Sequence, residues 1–96
     1  MDPATVKESK ARAILTNAAL DMYYRGREQS ESDEQELWRC FGEALRGIEL
    51  WICAVYHRGF PPEQADERFM EYEAQRRGLG QNAPSAIIDS ELARTR

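Results

Sequence analysis

Residues 37–56 read LWRCFGEALRGIELWICAVY, and from Ile48 to Tyr56 only Glu49 is not apolar. At helical spacing Leu37, Phe41, Ala44, Ile48, Trp51 and Val55 alternate steps of four and three, the repeat that keeps one seam of a helix against a neighbour. Trp38, Leu45 and Ile52 run beside that seam at spacing seven, so the apolar stripe is wider than a two-stranded zipper needs. Such a helix wants neighbours on more than one side. A buried strand over Ile48–Tyr56 is the competing reading, because Ile, Trp, Val and Tyr favour sheets. The repeat running back to Leu37 argues for the helix.

The boundaries of this helix are marked on both sides. Ser30 and Ser32 are candidate caps, and Ser32 with Gln35 has capping-box spacing. Asp33, Glu34 and Glu36 put negative charge at the positive end of the helix dipole. At the other end Gly59 sits just past the last turn, Phe60 can fold back, and Pro61 and Pro62 forbid continuation. The span Asp33–Arg58 would be about 39 Å long at the helical rise. Gly42 and Gly47 inside it each cost about 1 kcal/mol relative to alanine. Together with Cys40, Ala44 and Ala54 they suggest a close helix contact or a bend.

Upstream, a first helix is expected from Pro3 or Ala4 to about Arg25, with Asp2 as cap and Gly26 as stop. Ala11, Ile14, Leu15, Ala18 and Met22 form its face, flanked by Leu20 and Tyr24. Downstream, Pro61 or Pro62 opens a third helix with Glu63, Asp66 and Glu67 at its start, Arg76 and Arg77 near its end, and Gly78 as stop. Ala65, Phe69 and Tyr72, supported by Met70, make its narrow apolar face. After Gly80, Ser85 can cap a short helix anchored by Ile87, Ile88 and Leu92. The expectation is an all-α fold: a small three-helix bundle on a long central helix, or four helices if the end orders, paired into a homodimeric bundle. Residues 1–80 form the single domain, and 81–96 a short helix or tail.

Composition bounds the function. A chain of 96 residues is one domain with a modest core. With 17 acidic and 13 basic residues its formal charge is −4, which disfavours a nucleic-acid backbone or an anionic membrane as main partner. No signal-peptide-like apolar stretch opens the sequence and no roughly 18-residue uncharged apolar run occurs later, so a cytoplasmic location is expected. Cys40 and Cys53 are thirteen positions apart on one helix, about 20 Å, and cannot pair there.

Glu49 stands out, because a carboxylate in the apolar half of the helix must reach water, meet a cation or hold its proton. It is a candidate buried polar group, with Arg46, Arg58, Arg12 and Arg25 as possible partners. Glu49, Cys53 and His57 succeed one another at spacing four and offer metal-competent donors. They are three where a closed site wants four, so no metal or other cofactor is expected and the set stays an alternative. One histidine, no nucleophile motif and no glycine-rich phosphate loop leave no basis for an enzyme. A helix-turn-helix DNA-binding regulator is the other alternative, weakened by acids where a recognition helix needs Arg, Lys, Asn or Gln. The favoured expectation is a non-catalytic protein-interaction module: a small acidic regulator, inhibitor or accessory subunit. Its anchors would be Trp38, Trp51 and Tyr56, and its steering rim Glu63, Asp66, Glu67 and Glu71.

Overall fold

The apolar stripe from Leu37 onward winds as a helix, and three further helices gather around it. The computed structural model describes the backbone of residues 3–29, 33–73 and 82–94. Helix α1 spans Pro3–Gln29, α2 Glu34–Ile52 with a π-helical turn Cys53–His57 continuing it, α3 Pro62–Glu73, and α4 Pro84–Arg94. The fold is all-α, with no strand among the described residues; the apolar run Ile48–Tyr56 is helical throughout. No helix among them is long and apolar enough to cross a membrane.

Helices α1 and α2 form an antiparallel hairpin. Ala11, Leu15, Ala19 and Tyr23 recur every fourth residue on α1 and are all buried, as are Cys40, Ala44, Ile48, Trp51 and Ile52 on α2. Small side chains on both helices let the large ones interlock, so the core is dense although the chain is short. Helix α3 adds Ala65 and Phe69 to the same core, and Ile87 and Ile88 of α4 pack against it. The 84–94 segment is thus an integral fourth helix seated on α1 and α3.

Asp33 caps α2: its Oδ1 accepts the Glu36 N–H at 2.8 Å, and its carbonyl accepts from Leu37 at 3.1 Å. The cap lies one residue beyond the expected Ser32, and Ser30 and Ser32 are outside the described residues. So are Asp2, Arg76, Arg77, Gly78 and the side chain of Tyr72. Gly26 corrects a second expectation. It lies inside α1, which runs on to Gln29, and it is buried. A Cβ there would meet Leu37 Cδ2 at 2.6 Å. This glycine brings two helices together; it does not end one.

At the end of α2 the Arg58 N–H donates to the Cys53 carbonyl at 3.0 Å, five residues back, and the Phe60 N–H to the Ala54 carbonyl at 2.9 Å. Gly59, at φ +75°, makes the reversal that other residues resist. One extra residue in the closing turn rotates the residues beyond it by about 100° relative to an α-helical continuation. Arg58 and Phe60 are thereby turned over α3.

Candidate functional site

Three of the largest apolar side chains stand in water: Tyr24 and Trp38, each 53 % exposed, and Leu50, 61 % exposed. The first two belong to one cluster where the C-terminal part of α1 meets the start of α2. Tyr23 is its buried centre. The Trp38 ring lies 4.7 Å from it, Tyr24 sits edge-on at 5.5 Å, and Phe41 closes the group at 6.0 Å from Tyr23 and 5.9 Å from Trp38. Tilted and edge-on aromatic contacts of this kind hold the rings in place, so Trp38 and Tyr24 present a fixed apolar surface. Charges rim it: Arg27 approaches Glu34 at 3.9 Å, and Arg39 pairs with Glu36 at 2.7 Å. The hydrogen bond to Glu36, followed by that residue's charge, raises the Arg39 pKa.

Of the three expected anchors, only Trp38 stands on this surface. Trp51 is 4 % exposed and part of the core, and Tyr56 is half-buried with its ring 6.3 Å from Trp51. Tyr24 and Leu50 were absent from the expected set. The signal for Tyr24 was available, because adjacent Tyr23 and Tyr24 cannot both face inward. Leu50 is off the seam that carries Ile48 and Trp51.

The acidic rim divides as well. Glu63, Glu67 and Glu71 are exposed on α3. Asp66 is spent inside the molecule: it accepts the Trp51 indole N–H at 2.9 Å and the Ser85 backbone N–H at 3.2 Å, both on Oδ1, and the Ser85 hydroxyl on Oδ2. Pro84 opens α4 fully buried, so Ser85 lies inside the helix and does not cap it. The capping carboxylate comes from α3 instead. Trp38 and Trp51 are about 20 Å apart along α2 at the helical rise, so Trp38 and the α3 acids do not share one patch. In the helix-turn-helix alternative α3 would be the recognition helix, and its exposed first turns present Glu63 and Glu67.

Glu49 is not buried. Its side chain is 58 % exposed and receives Arg12 Nε at 2.7 Å and Nη2 at 3.2 Å. The hydrogen bond that Arg12 donates to Glu49 raises the Arg12 pKa, partial burial works against it, and the charges of Glu49 and Glu8 add to the rise. Glu8 also approaches Arg12 at 3.8 Å and pairs with His57 Nε2. These four groups tie the start of α1 to the end of α2. Tyr56 lies near them, and burial, followed by the charge of Glu8, pushes its phenol pKa up. Cys53 is an exposed free thiol. Among the described residues no three His, Cys, Asp or Glu side chains come together as a metal-binding group; Glu49 is turned to Arg12 and His57 to Glu8. No family model, curated protein or solved structure matches the chain.

Proposed function

We propose that this protein is a non-catalytic interaction module that binds a protein partner through the Tyr24–Trp38 surface, with a second copy of the chain as the first partner to test. The observation that supports this reading is a half-exposed tryptophan held rigidly by a buried tyrosine, since exposed aromatics in fixed positions are the anchors of protein interfaces. Two unpaired thiols fit action in the reducing cytoplasm. Regulator, inhibitor and accessory subunit are the roles such a module serves, and the exposed carboxylates of α3 would steer a basic partner.

Burying the exposed half of a ring of about 200 Å² is worth about 2.5 kcal/mol at 25 cal/mol per Å². Sedimentation equilibrium over a wide concentration range reads the association directly. A substitution in a self-associating chain alters both copies, so Trp38→Ser should weaken the association by about 10³-fold or more, and Tyr24→Ser by a comparable factor, both with unchanged helix content. Association that ignores both substitutions refutes the proposed surface.

A further inference from the structure

The opposite end of α2 carries a second feature, independent of the aromatic surface. A cavity of about 220 Å³ opens between the end of α2 and α3, walled by Leu50, Trp51, Ala54, Ala65 and Phe69. At its mouth lie Phe60 and two arginines, with the Arg58 guanidinium carbon 4.6 Å and that of Arg68 5.0 Å from the Phe60 ring centre. The two cations are therefore held on one ring, within about a Debye length of each other. Neither takes part in a salt bridge among the described residues.

Two like charges gathered at one apolar cavity repel each other, and an anion entering the cavity that both line relieves that repulsion. Guanidinium groups bind carboxylates by parallel N–H···O bonds. The volume sets the rest of the ligand: an apolar cavity of about 150 Å³ accepts one benzene ring, so this one takes a single ring or a short branched chain and leaves room for the head group. Arg58 caps the π-helical turn and Phe60 follows the Gly59 reversal, and both side chains line the cavity. We infer that this cavity is a binding site for a small organic monocarboxylate with a compact apolar body, its carboxylate held by Arg58 and Arg68 and its body against Trp51 and Phe69.

Phenylacetate is the probe, and the ¹H–¹⁵N spectrum of the whole chain is the readout, with the Trp51 indole signal reporting from the cavity wall. Saturable shifts of Trp51, Ala54 and Phe69 are expected, with phenylacetamide, the uncharged isostere, binding at least about tenfold more weakly. Arg58→Gln and Arg68→Gln should each remove about tenfold of the phenylacetate affinity and leave phenylacetamide unchanged. Ala54→Leu, which fills the cavity without touching charge, should weaken both. No saturable shift at tens of millimolar phenylacetate overturns the assignment, as does equal binding of acid and amide. Inorganic phosphate competing as well as phenylacetate would show charge alone at work and overturn it too. Concentration-dependent shifts at these residues without ligand would give the cavity to a second copy of the chain, with the same result.

Discussion

Replacing Asp66 with alanine removes three hydrogen-bond acceptances at once. Its Oδ1 takes the Trp51 indole N–H at 2.9 Å and the Ser85 N–H at 3.2 Å, while Oδ2 takes the Ser85 hydroxyl. Trp51 is 4 % exposed, so water does not readily replace the lost partner, and an unsatisfied buried donor costs about 1–3 kcal/mol. Loss of the carboxylate at the start of α4 resembles loss of an N-cap, about 1 kcal/mol. Together the change should destabilise the protein by about 2–4 kcal/mol, a large share of the 5–15 kcal/mol typical of a domain. Urea unfolding followed by far-UV circular dichroism measures it, and at a slope of about 2 kcal/mol per M the midpoint should fall by about 1–2 M. Asp66→Asn is the control. Its carbonyl still accepts both N–H groups and its amide can donate to the Ser85 hydroxyl, so it should cost about 1 kcal/mol or less. Amide exchange in α4 should quicken first in the alanine variant, because α4 is the element that Asp66 holds at its start. A midpoint unchanged by Asp66→Ala, or an asparagine variant as unstable as the alanine one, would refute the reasoning.

Other positions give sharper signs than sizes. Gly42 is exposed in mid-α2 and nothing lies within 4 Å of where a Cβ would be, so Gly42→Ala should stabilise by about 0.5–1 kcal/mol in the same urea assay. Glu49→Gln breaks an ion pair whose side chains are 39 % and 58 % exposed; with solvent screening it should cost no more than about 1 kcal/mol, measured as a shift in urea midpoint. The folded-state pKa of Tyr56 is raised by burial and by Glu8. Its contribution to stability is therefore full below the unfolded tyrosine value of about 10 and is lost as pH rises through the folded value. Thermal unfolding between pH 9 and 11 should show a smaller alkaline loss in Tyr56→Phe than in the parent, once the other tyrosines are allowed for by comparing the two proteins.

The helices could be read from local pattern because their signals are local. The seam from Leu37 to Val55, the Gly59–Phe60–Pro61–Pro62 reversal and the acids at helix starts each act within a turn or two, and each appears in the structure as expected. Gly26 was misread because a glycine that ends a helix and one that admits a neighbour look alike in one sequence; Leu37, eleven residues on, decides between them. The role of Asp66 rests on Trp51, fifteen residues back, and Ser85, nineteen ahead, so helical periodicity placed it among the solvent-facing acids. Trp51 is a different kind of error. Its place on the seam implies burial, whereas its residue type alone points to a surface anchor, and position prevails. The extra residue in the closing turn of α2 leaves no mark in composition or spacing, and neither does the meeting of Arg58 and Arg68 over Phe60.

The two thiols differ in a way that affects handling of this protein. Cys40 is sealed in the interior, and Cys53 is open to solvent on the π-helical turn. A maleimide dye therefore has one address on the folded chain, at the opposite end of the long helix from Trp38. Air oxidation has the same single address, and it would join two molecules covalently through Cys53. A doublet on a non-reducing gel would report that reaction and say nothing of reversible pairing through Trp38, so reductant has to be present whenever the oligomeric state is measured.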